Sequence, residues 1–382
     1  MEQHTANNHH TDAHQPRSQP VARRHGWKLA ALALIASISC ATAPPHPVSD
    51  HCDGHTFHNP QTRIEDPSFW DLVVHITTGR STPWPDDVPL DRALALDQAL
   101  DNDQVAITFV NHATVLIQTP QMNILTDPVW SQRVGPWSWA GPERARQPGI
   151  PFDALPPIDA VLLSHNHYDH TDLPTIIDLW ERDQPRFLVP LGDRQLLEDE
   201  GITTVTEMDW WDQAPLGHSV KITFTPAQHN SGRGLTDAKE SLWGSFMIHA
   251  DKRMIYFGGD TAYSPHFAAI QARLGSPDIA LLPIGAYAPR ATMRPFHMDP
   301  DDAVQAQLDL RAVLAIGIHF GTFQLTNEAI DDPIKDLQAA LQARRLPTDA
   351  FITLSEGRTQ RFDLLTIASR HSDAAAPSAP RP

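Results

Sequence analysis

Leu162-Leu163-Ser164-His165-Asn166-His167-Tyr168-Asp169-His170-Thr171-Asp172 decides how the rest of the chain is read. The residues that lead into it, Ile158 to Leu163, form an apolar run, which predicts a buried strand. The chain then changes to His-x-His-x-Asp-His. That run is too short for two helical turns, so its side chains fan out from a loop at a strand end. Such a loop aims two imidazoles at one cation, and a carboxylate and a third imidazole at a second. Neutral imidazoles and carboxylates suit zinc or a similar borderline cation. The plainer alternative is a polar turn with surface histidines, in a chain that has 21 of them. The strand before the motif and the helix after it favour the metal site.

Working outward, apolar β-branched stretches predict strands at Ala106–Val110, Thr114–Thr119 and Met122–Leu125, the last ending at Thr126-Asp127-Pro128. Asp172 caps a predicted helix that has Pro174 early and runs to about Arg182. Strands follow at Phe187–Pro190, Val220–Thr225, Leu242–His249, Met254–Phe257, Ile279–Pro283, Val313–Ile318 and Ala350–Leu354. Helices are expected at Arg194–Glu200, Pro265–Leu274, Pro300–Leu310 and Ile330–Arg344. Periodicity alone says mixed α and β. His165, His167, Asp169, His170, His229, Asp260 and His319 each come just after an apolar strand. One such residue would be an ordinary hydrogen-bonding side chain. Several of them, beside the dense motif, point to convergence on one edge of a rigid scaffold. Trp130, Trp137 and Trp139 lie between Val129 and Pro151, where they form either an apolar wall beside the site or a cover for a sheet edge.

The formal net charge of −17 over 382 residues argues against nucleic acid as a partner and against electrostatic adhesion to anionic lipid. The 2 cysteines, Cys40 and Cys52, precede the catalytic region, so neither is read as a metal ligand. Arg23, Arg24 and Lys28 lead into the apolar stretch Leu29–Ile38, too short to span a bilayer and suited to a signal peptide. Cys40 after Ser37-Ile38-Ser39 resembles a bacterial lipobox, with Ser37 a departure from its pattern. This predicts export to the bacterial cell envelope as a periplasm-facing lipoprotein, in contact with the membrane through lipidated Cys40. An uncleaved anchor and a soluble secreted form are the alternatives. The expected organisation is a polar lead and signal peptide over 1–40, a Pro-rich extension over 41–104, one catalytic domain over 105–365 and a disordered tail over 366–382.

The motif resembles the signature of the metallo-β-lactamase superfamily. Further stretches are similar to its N-acylphosphatidylethanolamine-hydrolysing phospholipase D branch. They are Pro156–Val161, Asp209-Trp210-Trp211, Thr225–His229, Leu242–Ser245, Gly259-Asp260-Thr261, Pro283–Tyr287 and Ile318–Phe323. Asn111 and Asn230 depart from that branch's usual residues.

The resemblance implies an αββα metallo-β-lactamase-type sandwich in a single α/β catalytic domain. It implies two zinc ions per chain. His165, His167 and His229 would hold the first, Asp169, His170 and His319 the second, and Asp260 would bridge them. A hydroxide between the metals would be the nucleophile, with Asp169 steering its proton. His297 would hydrogen-bond a phosphate oxygen or protonate the leaving alkoxide, the alternative being a surface residue at a helix entry. His112 is read as bracing or core rather than ligand, and Ser164, Thr261 and Asp172 as orienting the imidazoles. The implied activity is zinc-dependent phosphodiester hydrolysis of phospholipase D type on N-acylphosphatidylethanolamine or a related phospholipid. The runner-up is a lactonase or other hydrolase on the same fold, and the third reading a non-enzymatic envelope lipoprotein.

Overall fold

The structure is a computed structural model and describes residues 46–59, 82–90, 100–101, 104–250 and 253–363. The signal-peptide segment, Cys40 and the C-terminal tail lie outside the described residues, as do residues 67–76, whose sequence suits a short helix. Among the described residues no helix is long and apolar enough to cross a membrane.

Among the described residues, fourteen strands form two sheets of seven. The first contains β1 (Gln104–Asn111), β2 (Thr114–Gln118), β3 (Asn123–Thr126), β4 (Ala160–Leu162), β5 (Arg186–Pro190), β6 (Val205–Met208) and, at its other edge, β14 (Thr359–Asp363). Their order is β14-β1-β2-β3-β4-β5-β6. The second contains β7 (Gln213–Leu216), β8 (Val220–Thr225), β9 (Ser245–Ala250), β10 (Arg253–Phe257), β11 (Ile279–Pro283), β12 (Leu314–Ile318) and β13 (Phe351–Thr353). Their order is β13-β12-β11-β10-β9-β8-β7. Each sheet is antiparallel in one half and parallel in the other.

Alternation along the parallel strands builds the layers. In β4 and the residue after it, Ala160 and Leu162 join one apolar cluster, while Val161 and Leu163 join another. In β5, Leu188 points one way and Phe187 and Val189 the other. A period of two puts these neighbours on opposite faces of the sheet. The first cluster continues into Phe224, Phe246, Ile248 and Phe257, which share one face of the second sheet, so it fills the space between the sheets. The other takes in Ile176 and Leu179 of α1 (Leu173–Asp183) and Leu197 of α2 (Arg194–Glu198), which cover the outer face of the first sheet. The second sheet packs with Phe267 and Ile270 of α3 (His266–Leu274), with Val304 of α5 (Pro300–Leu310) and with Leu341 of α6 (Asp332–Ala343). Strands covered on both faces read as continuous apolar runs, which is why β11 (Ile-Ala-Leu-Leu-Pro) is buried throughout. The architecture is the αββα sandwich.

Three strands and the short α4 (Arg290–Met293) are absent from the sequence-based expectation. The strands β6, β7 and β14 all sit at sheet edges. Asp172 also differs from expectation. It is the N-cap of α1, but its side chain makes no capping bond. Its carboxylate instead accepts from the backbone N–H groups of Trp130 and Ser131 and from the hydroxyls of Ser131 and Thr175. It therefore fixes the loop after β3 rather than an imidazole.

Residues 46–59 and 82–90 pack on the catalytic body. Phe57 and Cys52 are buried, and the Trp84 indole donates to the Glu328 carbonyl at 2.8 Å. Trp130 packs against Phe152 in the outer cluster. Trp137 and Trp139 are 60% and 74% exposed and stack on one another, so they wall no buried site.

Candidate metal centre

The candidate donors sit on loops that leave strand ends, where rigid elements aim side chains. The loop after β4 brings His165 and His167, and the loop after β8 brings His229. The donor atoms of these three lie within 4.8 Å of one another. His165 Nε2 is 2.9 Å from His167 Nδ1. A second set, His112, Asp169, His170 and His319, meets the same limit of 4.8 Å. There His319 Nε2 is 3.2 Å from His170 Nε2, and Asp169 Oδ2 is 3.5 Å and 3.6 Å from the Nε2 atoms of His170 and His319. Asp260, after β10, faces both sets. Its Oδ2 is 3.1 Å from His319 Nε2, 3.2 Å from His170 Nε2 and 3.8 Å from His229 Nε2. All seven residues named from the sequence therefore converge.

Three of the imidazoles are oriented from behind. His170 Nδ1 bonds Asp127 Oδ2 at 2.6 Å, which turns Nε2 inward. The Ser164 hydroxyl donates to the same Asp127 oxygen at 2.6 Å and lies 2.9 Å from His165 Nδ1. His165 Nδ1–H can then donate to Ser164, leaving Nε2 with a free lone pair. His229 Nδ1 donates to the Phe296 carbonyl at 2.9 Å. Such partners fix ring orientation and tautomer. Thr261 Oγ1 accepts from the Gln228 N–H, one residue before His229. Arg233 holds the motif loop from outside, donating to the carbonyls of Asn166 and Thr171. Gly259 permits the close approach. A Cβ there would lie 2.4 Å from Ser164 Cβ, and its φ is +55°. His112, Asp127 and His319 also hold positive φ, at 45°, 32° and 59°, a conformation costly for residues with a Cβ.

Asp127 is the residue that sequence reasoning missed. It appeared only as the end of β3, yet its carboxylate bonds both His170 and Ser164, the residue before His165. It carried the same signal as the donors, an acidic residue just after an apolar strand. His112 Nε2 lies 3.0 Å from Asp169 Oδ2, a bracing contact. His297 is buried, 8% exposed, with Nδ1 3.8 Å from Asp260 Oδ2, so it is not a surface residue.

The electrostatics differ between the sets. Burial pushes the imidazole pKa values of His165, His167 and His229 down, which keeps them neutral, as ligation requires. Burial acts the same way on His170 and His319, but the Asp260 and Asp169 carboxylates outweigh it. His170 rises well above its ordinary value and His319 to about 9. Cation density is thus favoured where the carboxylates gather. Among the described residues, His229 Nε2, Asp260 Oδ1 and His297 Nδ1 are buried without a hydrogen-bond partner. Buried polar atoms are rarely left so, and imidazole nitrogens with carboxylate oxygens are a donor set for a divalent transition metal. The residues fit a metal.

Comparison with known proteins agrees. A family model described as a beta-lactamase superfamily domain matches residues 122–320. The chain is 34% identical over 328 residues to N-acyl-phosphatidylethanolamine-hydrolyzing phospholipase D 1 of Caenorhabditis elegans, covering 80% of this chain and 92% of that one. It is 35% identical to the mitochondrial N-acyl-phosphatidylethanolamine-hydrolyzing phospholipase D of Saccharomyces cerevisiae, over 57% of this chain and 47% of that one. Among solved structures, a metallo hydrolase from Ignicoccus hospitalis shares the fold, with a TM-score of 0.51 at 20% identity, over 68% of this chain and 99% of that one. The chain is a metal-dependent hydrolase that belongs to the metallo-β-lactamase superfamily, in its N-acylphosphatidylethanolamine-hydrolysing phospholipase D-like branch.

Proposed function

We propose that the protein is a zinc-dependent phosphodiesterase of phospholipase D type, acting on N-acylphosphatidylethanolamine or a related phospholipid. The observation that carries this is the Asp260 carboxylate, whose Oδ2 lies within 3.8 Å of donors from both histidine sets. One carboxylate shared by two donor sets suits two cations, and identity to the phospholipase D relatives supports a phosphodiester substrate.

On this reading His165, His167 and His229 would hold one zinc, Asp169, His170 and His319 would hold the other, and Asp260 would serve both. Two zinc ions so held would activate water near neutral pH and offset the charge that develops on a phosphoryl group. His297 lies beside Asp260 and faces the substrate. Its Nδ1 donates to a phosphoryl oxygen or gives a proton to the leaving alkoxide. Asp127, Ser164 and the Phe296 carbonyl keep the imidazoles aimed. Lipid anchoring through Cys40 would hold such an enzyme at its substrate.

Hydrolysis in water labelled with heavy oxygen tests the bond that breaks. Label is expected in phosphatidic acid and none in the released N-acylethanolamine. Label found only in a carboxylate product would replace this reading with ester or lactone hydrolysis.

A further inference from the structure

Residues 46–59 belong to the N-terminal extension, yet they reach the metal centre. The segment is tied down along its length. His46 Nε2 is 3.0 Å from the Glu240 carbonyl oxygen, and His51 Nε2 is 2.7 Å from Asp209 Oδ1. The Phe57 N–H donates to Lys239 O at 2.8 Å, and the Phe57 side chain is 1% exposed. The last described residue of this stretch, Asn59, is 6% exposed. Asn59 Nδ2 donates to the carbonyl of His229 at 2.8 Å, across 170 positions of sequence. Among the described residues no backbone N–H donates to that carbonyl. Asn59 Oδ1 accepts from the Trp243 indole N–H at 3.1 Å, and the same N–H reaches the Ala227 carbonyl at 3.1 Å.

These contacts form a clamp. Trp243 and Asn59 together grip Ala227 and His229, the two ends of a three-residue stretch, while the Phe296 carbonyl holds the His229 ring. The clamp needs a side chain with a donor and an acceptor on one short stem. Asn supplies both. A buried amide satisfied on both sides also fixes one geometry, because breaking either bond leaves a buried polar group unpaired.

We infer that Asn59 is a positioning residue for His229, so that the N-terminal extension completes the metal centre. The inference rests on His229 being a metal ligand. Asn59 touches neither substrate nor metal, and acts by fixing the backbone from which the His229 ring projects. Groups that orient a ligating histidine typically contribute about 10- to 100-fold in metal affinity.

The test is chelator competition for zinc on the purified full chain, with thermal unfolding measured in parallel. Asn59→Ala is expected to weaken zinc binding by about 10- to 100-fold. Phe57→Leu is the control, because it loosens the same segment without touching His229. It should lower the unfolding temperature and leave zinc affinity at the wild-type value. Wild-type affinity in Asn59→Ala overturns the inference. So does a Phe57→Leu variant that loses as much affinity as Asn59→Ala, since that would make the segment's role merely structural. His229→Ala reports on the underlying assignment separately. If it binds zinc as the wild type does, the ligand reading fails, whatever Asn59 does.

Discussion

Asp127 Oδ2 lies 2.6 Å from His170 Nδ1, and both side chains are fully buried. The same carboxylate takes the Ser164 N–H at 2.8 Å and the Ser164 hydroxyl at 2.6 Å. One acidic residue thus orients His170 directly and His165 through Ser164. Asp127→Asn keeps the shape but puts a donor where acceptors are needed. It is expected to lower metal affinity and turnover by about 10- to 100-fold, read by chelator competition and kcat. Asp127→Ala should also destabilise the fold by on the order of 1–3 kcal/mol, because Ser164 and His170 are left unpaired in the interior. Wild-type metal binding in both variants would show that Asp127 does not act through the ligands.

Gly259 makes that arrangement possible. Gly259→Ala would press a Cβ against Ser164 and force a residue with a side chain to hold a φ of +55°. Overpacking of this kind costs about 1–3 kcal/mol, so a lower unfolding temperature is expected. Because Ser164 is the atom group in the way, metal affinity should fall with it. Loss of stability with intact affinity would mean that the neighbouring strand, rather than Ser164, gives way.

Much of this was legible in the sequence, for a physical reason. The strand Ile279–Pro283, covered on both faces, falls where its continuous apolar run predicts, and Val220–Thr225 falls where its alternation of apolar with polar residues predicts. The donors were visible because each follows such a run. The strands β6, β7 and β14 were not, because edge strands carry exposed polar residues. Gln213–Leu216 alternates exposed with buried over four positions only, and Thr359–Asp363 has no fully buried residue. Asp127 and Asn59 act through contacts far along the chain. Local spacing holds no record of a bond between residues 59 and 229. Asp172 shows the converse limit, since its position as N-cap was readable and its actual partners, Trp130 and Ser131, were not.

Asp260→Ala tests the shared carboxylate. Wild-type protein is expected to carry about two divalent ions per chain by elemental analysis, as shared-carboxylate sites do. The variant should lose most of one ion and nearly all activity, because Asp260 Oδ2 faces both donor sets. Active wild-type protein without bound metal would sink the dinuclear reading.

His297→Ala separates a substrate role from ligation. His297 Nδ1 is unpartnered and 3.8 Å from Asp260 Oδ2, and His229, Asp260 and His297 are together close enough to hold a cation. If His297 serves the substrate, turnover should fall by about a hundredfold with metal content unchanged. If the variant loses a metal ion instead, His297 is itself a ligand and the set of seven is incomplete.

The N-terminal segment carries its own pH dependence, away from the metal ligands. His51 stacks on Trp210 and lies 2.7 Å from both Asp50 Oδ1 and Asp209 Oδ1. Burial by itself lowers the His51 pKa, but hydrogen bonds to Asp209 and Asp50 and their charges outweigh it, so the imidazole titrates above its ordinary 6.5. Burial raises Asp209, and the bond to His51 outweighs that and lowers it. A histidine raised by folding stabilises fully below its unfolded pKa, and that contribution is lost as pH rises through the folded value. A carboxylate lowered by folding stabilises above its unfolded pKa, and that contribution is lost as pH falls through the folded value. The segment is therefore held most firmly between the ordinary carboxylate and imidazole ranges. Amide protection at Phe57 and His58, corrected for intrinsic exchange, should decline as pH rises from about 6 to about 9, and His51→Gln should flatten that decline. A wild-type profile that is already flat across this range would mean that the ion pairs do not hold the segment. Its attachment would then rest on the burial of Phe57 and Cys52.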